Sequence, residues 1–190
     1  MTPRTLRLAL LAVVFVAQLV YPAFLLGRHE KTLAEGDVLC FPCRMTDAAG
    51  ALQGRYLVLD CPPLSAPTPP GERYLPGEPV YFRFAPDEER LARPAGASRE
   101  RPEQGIYLRA RAAGWSEANG VAIDLPFDRY YLGEELAALA AQSFGASGDK
   151  VELEARIDVR LRNGRAVLEE LYLGDLPVRD YFEREAAGSD

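Results

Sequence analysis

The stretch VELEARIDVRLRNGRAVLEELYL, residues 151–173, decides the fold. Val151, Leu153, Ala155, Ile157, Val159 and Leu161 alternate with Glu152, Glu154, Arg156, Asp158 and Arg160, and only a strand puts every apolar member of such a series on one face. Asn163-Gly164 follows, the dipeptide that best tolerates the positive φ angles of a two-residue hairpin turn, so RAVLEELYL returns as the antiparallel partner. The return strand alternates less cleanly, and a bulge is expected in it.

Working outward, shorter strand signals fall at 37–44, 54–61, 79–84, 105–112 and 120–125. One helix interrupts them. In GEELAALAAQSFG, residues 133–145, Leu136, Leu139 and Ala140 share a face, Glu134 and Glu135 occupy the first turn, and Gly145 can end it. Seven prolines between Pro62 and Pro79 point to an extended surface loop, residues 86–104 to a mobile one, and Trp115 to a loop position. The expected fold class is α+β: a mainly antiparallel β ectodomain with one short helix, preceded by one N-terminal transmembrane helix.

That anchor is read from LALLAVVFVAQLVYPAFLL, residues 8–26, which are 19 positions without a charge. At ~1.5 Å rise per residue, a helix of this length crosses the ~30 Å hydrocarbon layer once. Pro22 falls in its last turns, where a kink or helix end matters least. A cleaved leader is the competing reading, but its apolar region is usually shorter and no small-x-small site follows. Arg4 and Arg7 precede the segment, while Arg28 and Lys31 with Glu30 follow it, so the charge bias is slight. The short N-terminal stub favours an N-terminus inside. The expected organisation is a cytoplasmic stub at 1–7, the span at 8–26, a juxtamembrane linker at 27–35, a β-rich domain at 36–184 and a frayed tail at 185–190. The domain is expected outside the bacterial cytoplasmic membrane, as a single-pass protein with a periplasmic or other extracytoplasmic body.

The formal charge is −6, and beyond residue 31 there are 18 basic against 27 acidic residues, a net of 18 − 27 = −9. This repels nucleic acid and anionic headgroups unless a local basic patch is built, and no basic run is visible in the chain. The single histidine, His29, lies at the edge of the apolar run, which removes Ser/His/Asp, Cys/His and His-rich zinc schemes from the domain. No metal site, cofactor or catalytic residue is expected. A hydrolytic set from Asp124, Asp128 and Glu134 is conceivable, although acids near a turn and a helix start are what capping selects. A serine-lysine pair has only Lys31 and Lys150 to draw on.

Cys40, Cys43 and Cys61 are the three cysteines. On an extended segment, residues three apart face opposite ways, so Cys40 and Cys43 need a turn, which Pro42 permits, to form a pair. A thiol-disulfide oxidoreductase using that pair is the alternative function. Outside the cytoplasm, one disulfide and one leftover thiol are expected, with Cys61 bonded to either Cys40 or Cys43.

GRYLVLDC, residues 54–61, resembles the pattern for which the bacterial GDYXXLXY family of membrane-anchored proteins is named. Gly54, Tyr56 and Leu59 match; Arg55 stands where the family has aspartate and Cys61 where it has the last tyrosine. Asp47 resembles an acidic position of the lead-in segment. DRYYLGEE, residues 128–135, is similar to the family's Arg-Tyr-aromatic segment ending in glutamate, through Arg129, Tyr130, Tyr131 and Glu134. The resemblance implies no established activity. Family members occur beside or fused to multi-span membrane proteins, which implies an integral membrane partner. Arg129, Tyr130, Tyr131 and Glu134 are the candidate binding residues, able to form a polar pocket for a peptide or small ligand, or, for Arg129 and Glu134, an ion pair at the helix start. Tyr56 and Leu59, an odd number of residues apart, should face opposite sides of a strand.

Overall fold

The structure is a computed structural model that describes residues 3–47, 56–116, 118, 120–143 and 153–187, with backbone only for 3–10, 12, 46–47 and 141–143. Gly54, Lys150 and residues 188–190 therefore lie outside the described residues. A helix α1, Pro3–Glu35, leads into β1, Asp37–Asp47, through Gly36 alone. That joint is tight. A side chain at Gly36 would collide with the Thr32 carbonyl oxygen and meet the Arg160 Cβ at 3.1 Å, so only glycine fits between the helix end and the neighbouring strand. Arg162 pairs with Glu35 and Arg160 Nη1 donates to the Gly36 carbonyl at 3.2 Å, fastening the helix end. The segment 27–35, expected as a linker, continues α1, which runs from Pro3 to Glu35 with Pro22 inside it; the lost hydrogen bond and the ring's clash with the carbonyl one turn back are outweighed by the long flanking turns.

The strands follow as β2 (Tyr56–Asp60), β3 (Leu64–Ala66), β4 (Pro79–Phe84), β5 (Pro94–Ser98), β6 (Ile106–Ser116), β7 (Gly120–Ile123) and β8 (Arg129–Tyr131). After α2 (Glu134–Ser143) come β9 (Leu153–Arg162), β10 (Arg165–Leu173), β11 (Leu176–Pro177) and α3 (Val178–Ala187). Two antiparallel sheets form, one of six strands in the order β11-β10-β9-β1-β2-β8 and one of five in the order β3-β7-β6-β4-β5. The second curls until its ends meet, where the Ala97 amide donates to the Pro67 carbonyl at 3.0 Å. Phe41 of β1 packs edge-on against Phe84 of β4, 5.6 Å between ring centres, inside one core shared by both sheets.

The predicted hairpin is present, with Asn163 at φ 51° and Gly164 at φ 76°, and the expected bulge falls between Leu168 and Glu170. Its inward series Ala155, Ile157, Val159 and Leu161 is buried, and β1 answers with Leu39, Phe41, Cys43 and Met45.

Four expectations are corrected. Among the described residues the domain carries two short helices, not one: α3 buries only Val178 and Phe182, an i, i+4 pair too sparse for its pattern to stand out among charged neighbours, and it includes Glu185–Ala187 of the expected tail. The expected mobile loop 86–104 contains β5, and its residues 90–92 fill the edge of β1 that β2 leaves open: the Cys40 amide donates to the Arg90 carbonyl at 2.8 Å and the Ala92 amide to the Cys40 carbonyl at 2.9 Å. Asp87 organises that segment by accepting from the Glu89 and Leu91 amides and pairing with Arg93 at 2.8 Å, which holds its carboxyl below the usual range. The proline-rich stretch 62–79 contains β3 and the buried Tyr74, and Trp115 lies within β6, under the Arg73 guanidinium 5.2 Å from its ring centre.

Candidate functional site

β8 is the last strand of the six-stranded sheet, and it carries three of the four candidate residues. Its pairing with β2 sets Tyr131 opposite Tyr56, Tyr130 opposite Leu57 and Arg129 opposite Val58. Period-two alternation therefore places Arg129, Tyr131 and Tyr56 on the outer face and Tyr130 on the inner one. The Arg129 guanidinium lies 4.9 Å from the Tyr56 ring centre, and the Tyr56 and Tyr131 rings are 6.0 Å apart. Tyr131 is 70 % exposed. Arg129 also pairs with Asp128 at 3.6 Å, so its ring and ion-pair contacts are with Tyr56 and Asp128.

Tyr130 donates from its hydroxyl to Glu170 Oε1 at 3.2 Å. β8 and β10 stand near opposite ends of the sheet, so this bond requires the sheet to curl until its far strands approach each other. The bulge at Leu168/Glu170 interrupts the alternation at that place, and the same carboxylate oxygen accepts the Leu171 amide at 3.1 Å. Burial, reinforced by the Glu170 charge and its hydrogen bond and opposed by Arg179, pushes the Tyr130 phenol up to about 12. A cavity of about 380 Å³ opens beside this pair, lined by Tyr130, Tyr131, Glu134, Glu170, Val178 and Arg179 among others. With Glu135 also in the wall, three carboxylates face one guanidinium.

Tyr130, Tyr131 and Glu134 thus come together, and Arg129 stands beside them on the outer face. Leu59 is core and Tyr56 half-exposed, on opposite faces as their odd spacing predicts. Asp47 sits in β1 opposite Val58, with its side chain outside the described set. Asp124 lines a different cavity from Glu134, with Arg109 and Arg111. Sequence reasoning missed Glu170, Val178 and Arg179. The only local signal for Glu170 was the irregular alternation of the return strand.

Cys43 is bonded to Cys61. Cys40 is free, 8 % exposed, on the outer face beside Arg156 and Asp158, and burial pushes its thiol up. The two cysteines of the proposed redox pair therefore face opposite sides of β1.

No curated protein and no solved structure matches this chain. The family model described as GDYXXLXY protein matches residues 18–171, from the middle of α1 into β10. The chain belongs to the GDYXXLXY protein family.

Proposed function

We propose that this protein is a single-span membrane protein whose β domain lies outside the cytoplasmic membrane and works by binding. It docks a segment of an integral membrane partner at the β8 edge and the cavity beneath Tyr130. One observation carries the membrane reading: Val13–Val16, Leu19–Tyr21 and Phe24–Leu26 are exposed in consecutive runs, so apolar surface encircles α1. A helix apolar on all sides needs lipid or protein around it. Among the described side chains no helix is long and apolar enough to cross a membrane; the uncharged run begins at Leu8, before those side chains start. Support for docking comes from β8 being the last strand of its sheet among the described residues, from the exposed Tyr131 ring and from an acidic cavity suited to a basic group of a partner segment.

The test is made on the full chain in bacterial membranes. Retention after alkaline extraction, with the domain cut by protease added from outside, supports the topology. Release by alkali, or protection from external protease in intact spheroplasts, refutes it. Photocrosslinking from position 131 followed by mass spectrometry identifies the partner; a monomer with no crosslinked membrane protein refutes docking.

A further inference from the structure

The net charge of the domain predicts repulsion from anionic lipid, yet the fold assembles one cavity of the opposite sign. On α1, Leu25, Arg28, His29 and Thr32 follow the i, i+3, i+4, i+7 spacing of a single helix face. They form one wall of a cavity of about 670 Å³. The other wall is Leu108 and Arg109 of β6, Pro126 and the 163–167 hairpin with Arg165. Three arginines line it, Arg28, Arg109 and Arg165, together with His29, and no acid does among the described residues.

Arg109 and Arg165 are brought there by backbone. The Arg109 amide donates to the Gly164 carbonyl at 2.9 Å, docking the hairpin turn on β6. A side chain at position 164 would meet the Tyr107 ring at 2.8 Å, so this approach depends on glycine. Two arginines on the same hairpin but outside the cavity are neutralised, Arg160 by Glu169 at 2.8 Å and Arg162 by Glu35, while Arg156 lies over the Tyr172 ring. Among the described residues, no hydrogen bond or ion pair engages the side chains of His29, Arg109 and Arg165, and the Arg28 guanidinium rests on the Phe24 ring. Arginines that converge with no acid in the cavity and no ion pair of their own repel one another unless an anion joins them.

Depth along α1 identifies the anion. Leu25 belongs to the apolar run, while Thr32, 3 % exposed, is where the helix meets the domain. Seven residues at ~1.5 Å each span about 10 Å, comparable to the roughly 5–8 Å headgroup layer on one side of a bilayer. A free phosphate would use the basic groups and leave the apolar floor at Leu25 without purpose; a lipid uses both. We propose that this cavity holds the phosphate of an anionic glycerophospholipid whose acyl chains descend along α1 past Leu25. This rests on α1 spanning the membrane.

The experiment uses the full chain in nanodiscs of equimolar phosphatidylcholine and phosphatidylglycerol. Flotation first reports incorporation, then native mass spectrometry reports the lipids retained. The expected result is preferential retention of phosphatidylglycerol, falling roughly fivefold for each arginine lost in Arg109→Gln/Arg165→Gln. Arg109→Lys/Arg165→Lys should keep most of the preference, and Arg83→Gln/Arg184→Gln, remote and exposed, should keep all of it. Equal retention of both lipids, or a preference that survives the double glutamine variant, overturns the proposal. Displacement of the lipid by millimolar glycerol 3-phosphate overturns the lipid assignment in favour of a soluble phosphate. Failure to float with the disc refutes the span itself, and this proposal with it, before any lipid is measured.

Discussion

Cys43 on β1 is bonded to Cys61, just past the end of β2, across a Cα–Cα distance of 4.2 Å. The register explains the choice of partner. Arg44 faces Asp60, so the next positions outward, 43 and 61, fall opposite each other, whereas Cys40 faces Asp158 on the other neighbour. With the two cysteines 18 positions apart in sequence, reduction should lower stability by about 3 kcal/mol, seen as a lower melting temperature with dithiothreitol. Cys43→Ala should reproduce that loss. Alkylation of the denatured, unreduced chain should label Cys40 alone; labelling of Cys43 or Cys61 there would refute the pairing.

The same arrangement bears on the redox alternative. Cys40→Ser removes a free buried thiol and leaves the disulfide intact. It should leave cellular function unchanged in a complemented deletion strain, and loss of function at normal abundance would favour thiol chemistry at that position.

Gly164→Ala meets two obstacles, φ 76° and the Tyr107 ring 2.8 Å from the new carbon. The left-handed backbone and the contact together should destabilise the domain by about 1–3 kcal/mol in urea titration. Asn163→Gly, at φ 51°, meets no backbone strain and should stay close to wild type.

Tyr130→Phe removes the hydroxyl that donates to Glu170, and should lower stability by about 1 kcal/mol near neutral pH. The pH profile carries a sign. The folded phenol titrates at about 12 against its ordinary value of 10, so its stabilising effect is complete below 10 and is lost as pH rises towards 12. The difference between wild type and Tyr130→Phe should therefore shrink across that window. An unchanged difference at pH 12 would show that the Tyr130 proton is not held by this site.

Phe182 is fully buried beneath α3, and Phe182→Ala should cost about 3–5 kcal/mol by denaturant unfolding. Arg129→Ala and Tyr131→Ala remove exposed side chains from the β8 edge and should stay within about 0.5 kcal/mol of wild type. Both should reduce partner capture by a chemical crosslinker added to membranes, at normal protein abundance. Crosslinking unchanged in both variants would place docking elsewhere.

Alternation in β9, the Asn163-Gly164 turn and the amphipathic start of α2 are local patterns, and each is legible because its cause acts within a few residues. The burial of Leu59 and the exposure of Tyr56 follow in the same way from their spacing. Other features have causes distant in sequence. Glu170 reaches Tyr130 only because a bulge interrupts the return strand and the sheet curls to bring β8 near β10. Residues 90–92 are ordered against β1 because that edge would otherwise leave backbone groups unpaired, a demand made by the sheet and invisible in the charged, turn-rich segment itself. By itself, the sequence determined the apolar helix, the β-rich domain, its central hairpin and the family. Only the tertiary structure decided which cysteines join, which carboxylate meets Tyr130 and where three scattered arginines converge, since such meetings depend on register and curvature summed over many strands.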